Sequence, residues 1–142
     1  MTRSSDRARA LIESLGLSAH PEGGYYREIF RSPAVTSIYY LLVAPERSAW
    51  HHVASDEVWH FYDGDPLELR TIDPATLVAQ SIVLGRDHPA HVVPANWWQA
   101  ARTTGAFSFC GCTVAPAFEF AHFQLLSDVP DEMKRLEKLI SF

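Results

Sequence analysis

Apolar and polar residues alternate along most of this chain in short runs that are separated by turn residues. The runs are bounded by Gly, Pro, Asn or Asp and are rich in β-branched and aromatic residues. They predict strands over 25–31, 37–43, 50–53, 57–62, 67–72, 78–84, 91–93, 97–102, 107–114 and 118–126. Evenly spaced short strands of this kind are typical of an all-β antiparallel sandwich or barrel.

The two ends of the sequence follow a helical period instead. A helix is predicted over 4–15, capped by Ser5 or Asp6 and ended by Gly16. A second helix is predicted after a cap at Asp128. The residues expected to face inward from these helices are Ala8, Leu11, Ile12, Leu15, Met133, Leu136, Leu139 and Ile140.

Length and charge narrow the possible partners and location. A chain of 142 residues is expected to form one domain over 1–142 with a single core. Twelve basic and 17 acidic residues give a net charge of −5, so no nucleic-acid partner is expected. No apolar run is long enough for a membrane span, and residues 1–7 lack the apolar core of a signal peptide. A cytoplasmic protein without a membrane partner is therefore expected.

Residues 50–66 combine three of the seven histidines with acidic and aromatic residues. In the strand over 57–62, Glu57, Trp59 and Phe61 face one side because side chains alternate along a strand. A carboxylate that shares an interior face with two large aromatic rings requires a cation, a metal or a hydrogen-bond partner. Glu57 is therefore a candidate site residue.

The same region resembles the metal-binding motifs of the cupins. The first cupin motif ends in a glutamate and a glycine with six residues between them, as Glu57 and Gly64 are here. His51 lies near the second histidine of that motif, and Ala49 stands where the first histidine would fall. In the second motif, Gln99 replaces the histidine.

More closely, the sequence resembles the Cupin_5 branch of that superfamily. The shared segments are 21–28, 38–42, 56–62, 98–101 and 111–116, and the resemblance covers roughly residues 10–126. It implies a double-stranded antiparallel β-helix, the jelly-roll cupin barrel, with short terminal helices and usually a homodimeric assembly. Relatives of this branch include sugar-nucleotide epimerase-like and seed-storage-like proteins. The resemblance does not imply a settled activity.

Two kinds of chemistry are open to these residues. A divalent metal could be held by His51, Glu57 and Gln99, although cupin metal sites ordinarily use about three histidines and one carboxylate. Acid–base chemistry without a cofactor needs only a histidine whose tautomer is held by a carboxylate. In that interpretation the catalytic candidates are His51, Glu57 and His60.

The predicted pocket also has candidates for substrate binding. Arg27 could anchor an anionic group, Trp59 could stack on a ring, Gln99 could contact a ligand, and Tyr39 could donate a proton. We expect His51 and Glu57 to lie within hydrogen-bonding reach, directly or through one water or metal ion, with Gln99 across the barrel.

Three functions remain open at this stage. The first is a small-molecule-binding cupin that acts as an isomerase or epimerase on a polar carbonyl or sugar-derived compound. The second is a metal-dependent cupin oxygenase or hydrolase. The third is a non-catalytic ligand-binding or storage-like protein, and the fold alone does not choose among them.

Overall fold

The chain folds into two antiparallel β-sheets with a helix near each end. The computed structural model describes residues 3–142. The helices are α1 (Arg3–Leu15) and α2 (Pro130–Arg135), and 3-10 turns span Phe120–His122 and Leu126–Asp128. The strands are β1 (Ser18–Ala19), β2 (Tyr25–Ser32), β3 (Val35–Val43), β4 (Ser48–Val53), β5 (Asp56–Gly64), β6 (Leu67–Ile72), β7 (Ala79–Leu84), β8 (Ala90–Val93), β9 (Trp98–Thr103), β10 (Phe107–Ala115) and β11 (Phe123–Leu125).

The two sheets face each other across the main core. The first sheet has the order β1-β2-β3-β10-β5-β8, and the second has the order β11-β4-β9-β6-β7. Side chains from both sheets meet between them, among them Tyr40, Trp59, Leu69, Ala101 and Cys110. The predicted all-β jelly-roll architecture with short terminal helices is confirmed.

The helical ends of the chain cover the outer faces of the sheets. Helix α1 places Ala8 and Leu11 against Leu41 and Phe109 on the outside of the first sheet. The segment around α2 packs Leu136 into a cluster on the second sheet. Within residues 3–142, neither helix combines the length and apolarity that crossing a membrane requires.

Some local predictions are wrong. Of the strand predicted over 118–126, only Phe123–Leu125 is formed, because the residues before it turn their aromatic rings toward the space between the sheets. Helix α2 is capped by Val129 rather than Asp128, and Met133 is 42% exposed rather than inward-facing. Helix α1 already begins at Arg3, upstream of the predicted caps.

The loop between β1 and β2 is held tightly against β3. Gly23 and Gly24 have φ values of 106° and 81°, which side-chain-bearing residues rarely adopt. The hydroxyl of Tyr40 donates to the carbonyl of Gly23 at 2.5 Å. This contact fixes the loop that carries His20 and Glu22 at the edge of the barrel interior.

Candidate functional site

A cavity of about 60 Å³ lies between the two sheets. Its polar side chains are His20, Glu22, Glu28, Thr36, His51, Glu57 and Cys112, and its aromatic ones are Tyr26, Phe118, Phe120 and Phe123. Sites that enclose a drug-sized ligand usually measure about 300–1,000 Å³. The enclosed space therefore admits a small polar group rather than a large ligand.

Glu57 projects into this cavity from β5 and is held from behind by a chain of two hydrogen bonds. The indole Nε1–H of Trp59 donates to Oε1 of Gln99 at 2.8 Å, and Nε2 of Gln99 donates to Oε1 of Glu57 at 2.8 Å. Because an indole N–H can only donate, the orientation of the amide is fixed. Burial raises the pKa of Glu57. The nearby His51, Gln99 and Cys112 lower this pKa and offset part of the rise.

His51 enters the cavity from β4 and is 2% exposed. Its Nδ1 lies 2.7 Å from the carbonyl oxygen of Ala49, which can only accept, so Nδ1 carries the proton. The other ring nitrogen, Nε2, lies 3.5 Å from Oε1 of Glu22. Burial lowers the pKa of His51, so the ring is neutral and Nε2 presents a lone pair. A backbone carbonyl thus holds the tautomer, rather than the carboxylate that the sequence suggested.

His20 and Glu22 reach the same place from the loop before β2. Nδ1 of His20 accepts the backbone N–H of Glu22 at 3.1 Å, so this nitrogen also carries a lone pair. Oε1 of Glu22 lies 3.3 Å from that nitrogen, and its other oxygen accepts a hydrogen bond from Ser48. Burial raises the pKa of Glu22 and lowers the pKa of His20.

Glu22 and His51 are placed to share one proton. Oε1 of Glu22 lies near two nitrogen lone pairs, so in the ionised state this oxygen would face acceptors on both sides, while the other oxygen accepts from Ser48. A proton on the carboxyl group, donated toward Nε2 of His51, removes this conflict. The directions of the two pKa shifts agree, because burial favours the uncharged form of each partner.

These residues do not fit the usual cupin metal site. Gln99 stands at the position of a metal-binding histidine, but its carbonyl oxygen is turned to Trp59 and its NH₂ group points to Glu57. His20 uses the lone pair of Nδ1 on a backbone N–H, which leaves the proton on Nε2. Across residues 3–142, no three His, Cys, Asp or Glu side chains are arranged to hold a metal ion.

Several side chains predicted to line the pocket lie outside it. Arg27 is exposed and donates to the carbonyl of Leu15 at 3.2 Å, because it lies on the outer face of β2 beside α1. Tyr39 packs on Phe109 on the outer face of the first sheet. His60 lies on the face of β5 opposite Glu57, so strand alternation directs it away from the cavity.

Of the other predicted site residues, His51 and Glu57 line the cavity and Gln99 lies directly behind it, whereas Trp59 does not line it. Gln99 is the cross-strand neighbour of His51 and reaches across to Glu57 on the other sheet. We expected His51 and Glu57 to be in contact directly or through one water or metal ion; in the structure Glu57 bonds to Gln99, and the nearest carboxyl oxygen to Nε2 of His51 is that of Glu22 at 3.5 Å. Trp59 is 1% exposed and supports Gln99 from the core instead of lining the cavity.

His20 and Glu22 were missed because nothing in the hydrophobic pattern points a turn residue inward. The available signal was the Gly23-Gly24 pair, which predicts a backbone that approaches something closely. Such an approach would have placed the two preceding polar residues near the barrel.

Two facing antiparallel sheets around a polar cavity define a cupin-type jelly roll. The chain belongs to the Cupin_5 family, described as Cupin superfamily (DUF985), which matches residues 9–126. No curated protein has significant sequence similarity to it.

Solved structures agree with this assignment. A protein from Shewanella oneidensis has 29% sequence identity and a TM-score of 0.81, over 100% of this chain and 99% of that one. A hypothetical protein from Leishmania major has 26% identity and a TM-score of 0.80, over 95% and 98%. Oxalate decarboxylase from Bacillus subtilis has 14% identity and a TM-score of 0.68, over 78% of this chain and 30% of that one, which shows a shared fold alone.

Proposed function

We propose that this protein is an isomerase that moves a proton on a carbon next to the carbonyl group of a small polar compound, without a metal. One observation carries the proposal: two buried carboxyl groups and two imidazole groups line one cavity, and hydrogen bonds fix the tautomers of the two histidines and hold Glu57 in place. Paired acids and bases with displaced pKa values are characteristic of proton-transfer sites.

Glu57 has the properties of the general base. Its oxygen accepts from Gln99, and burial raises its pKa, which makes its carboxylate a stronger base. In the forward step Glu57 takes the proton from the carbon next to the carbonyl. The electron pair of that C–H bond forms the carbon–carbon double bond of an enol.

The pair formed by Glu22 and His51 supplies the matching acid. The proton that the two share passes to the carbonyl oxygen as the carbonyl π electrons move onto it. Returning a proton from Glu57 to carbon, on either face or at the neighbouring carbon, and returning the hydroxyl proton to the pair completes an epimerisation or isomerisation. Every proton removed is restored, so the cycle needs no redox partner.

Deuterium exchange tests this proposal directly. Small hydroxyaldehydes and hydroxyketones would be incubated with the protein in D₂O, and deuterium next to the carbonyl would be followed by NMR. We expect Glu57→Gln to slow the exchange by about 10²–10⁴-fold, the usual contribution of a general base. Glu13→Gln, an exposed change on α1, should leave the rate unchanged.

The same experiment separates catalysis from binding. If these compounds raise the melting temperature of the protein and no deuterium is incorporated, the protein is a ligand-binding cupin and the proposed activity is wrong. If exchange persists unchanged in Glu57→Gln, the base has been misassigned.

A further inference from the structure

The cavity is acidic and aromatic, and its lining contains no lysine or arginine. Glu22 and Glu57 lie inside it and Glu28 lies on its wall. Arg31, which lies beside Glu28, is not part of the lining, and it uses two N–H donors on Glu28 at 2.8 Å and a third on the carbonyl of Phe118 at 2.9 Å. No free cationic side chain therefore faces a ligand in this cavity.

The two histidines do not supply the missing positive charge. Nδ1 of His20 cannot take a proton while it accepts the backbone N–H of Glu22. Nε2 of His51 lies beside the carboxyl group of Glu22, so when their shared proton moves to His51, the imidazolium charge is balanced by the carboxylate left on Glu22 rather than by a ligand. An anionic group would thus enter without a counter-ion, which is costly in a buried site.

Aromatic rings form the remainder of the wall. The rings of Phe118 and Phe120 are 4.8 Å apart, and the ring of Phe123 lies 6.0 Å and 6.1 Å from them. Tyr26 lines the cavity from β2. The faces of such rings attract ammonium groups, more strongly where water is excluded.

We infer that the substrate carries a positive charge: it is a small aminated carbonyl compound whose ammonium group binds in this cavity with Glu57 as its counter-ion. The inference rests on the proposed function, because it takes the cavity to be the substrate site. An ammonium group paired with an ionised Glu57 leaves the pair uncharged, and the proton of a protonated Glu57 passes to solvent. The titratable groups that face Glu57 are His51, Glu22 and Cys112.

Three probes of similar size and different charge test the inference. Ethanolamine is cationic, ethylene glycol is neutral and glycolate is anionic at pH 7.5, and isothermal titration calorimetry measures the affinity of the intact protein for each. We expect ethanolamine to bind at least tenfold more tightly than ethylene glycol, and glycolate to bind most weakly. Glu57→Gln should weaken ethanolamine binding about tenfold and leave ethylene glycol unaffected, while Glu13→Gln should change neither.

The comparison of the three probes on the wild-type protein needs no variant, so the test remains valid even if Glu57→Gln folds poorly. Equal or tighter binding of ethylene glycol or glycolate would overturn the inference, as would no binding of ethanolamine at tens of millimolar. If neutral hydroxycarbonyl compounds exchange deuterium while ethanolamine does not bind, the inference about charge fails and the proposed isomerase stands. If ethanolamine binds and neither neutral nor aminated carbonyl compounds exchange deuterium, the preference of the cavity for a cation stands and the isomerase fails.

Discussion

The carboxylate of Glu57 is oriented by residues that never touch the cavity. Trp59 can donate only, so Gln99 must accept with its oxygen and donate with its nitrogen. A histidine at the place of Gln99 would offer a lone pair to a metal, whereas the amide offers a hydrogen to a carboxylate. Gln99, together with Ala49 at the place of the first histidine, thus takes two metal ligands out of the cupin motif.

Glu57 should make the stability of the protein depend on pH in a definite direction. Its pKa is higher in the folded state than the ordinary value of 4.5, so the folded state binds the proton more tightly. The associated stability is fully present below about pH 4.5 and is lost as pH rises through the raised pKa. We expect the free energy of unfolding of Glu57→Gln, measured by urea titration, to fall less than that of the wild type between pH 4.5 and 8. Each tenfold difference in proton affinity corresponds to about 1.4 kcal/mol.

His51 provides an internal control for the same titrations. Burial lowers its pKa from 6.5, so the unfolded chain binds the proton more tightly and stability is lost as pH falls below 6.5. This acid-side loss should remain in Glu57→Gln. Parallel curves for the two proteins above pH 4.5 would contradict the raised pKa of Glu57.

Alternation along the strands predicted the inward direction of Glu57 but could not identify every neighbour. The interior face of β5 followed from the placement of Trp59 and Phe61. The same rule could not show that Arg27 and Tyr39 lie under or beside α1, because a helix that covers the outer face makes both faces of a sheet apolar. Glu22 lies in a turn, where alternation carries no information.

At the scale of elements, the loop between β1 and β2 depends on two adjacent glycines, Gly23 and Gly24. A Cβ on Gly24 would lie 2.8 Å from the hydroxyl of Tyr40, at a φ of 81°. Strain in the left-handed region costs about 1–2 kcal/mol, and overpacking adds about 1–3 kcal/mol. Gly24→Ala should therefore lower the free energy of unfolding by about 2–5 kcal/mol in chemical denaturation.

Gly16 offers a matched control at the end of α1. It has a similar φ of 62°, and a Cβ there would meet nothing within 4 Å. Gly16→Ala should cost only the backbone strain, about 1–2 kcal/mol. Equal losses of unfolding free energy in Gly24→Ala and Gly16→Ala would show that a Cβ at Gly24 causes no overpacking against Tyr40.

The strands were the most predictable elements. The strand predicted over 118–126 shows where the residue pattern alone is insufficient. Runs such as β3 and β10 combine β-branched or aromatic residues with clear turns at both ends, so local pattern and fold agree. Over 118–126 the aromatic residues suggested another strand. Those rings instead wall a cavity, and the backbone turns to bring them there.

At the scale of the whole molecule, the outer surface of β2 exposes two large apolar side chains. Ile29 and Phe30 are 45% and 56% exposed at the register shift of this strand. We expect a symmetric dimer formed partly by residues 25–40, because two copies of this surface could bury those side chains against each other. Light scattering at micromolar concentration should give twice the mass of the chain.

A matched pair of substitutions locates that interface. Phe30→Glu should give a monomer, since an isologous contact would place two carboxylates together. Val83→Glu, at 54% exposure on β7 of the other sheet, should leave the dimer intact. Monomeric wild type, or dissociation by Val83→Glu alone, would rule out assembly through β2.

Because Trp59 is hydrogen-bonded to Gln99, its fluorescence should report on the ionisation of Glu57. The emission of an indole depends on the electric field around the ring, and Gln99 links the N–H of Trp59 to the carboxyl group of Glu57. Loss of a proton from Glu57 places a negative charge two hydrogen bonds away from that ring. With the other three tryptophans replaced by phenylalanine, the emission maximum of Trp59 becomes a spectroscopic titration of Glu57, read without any label.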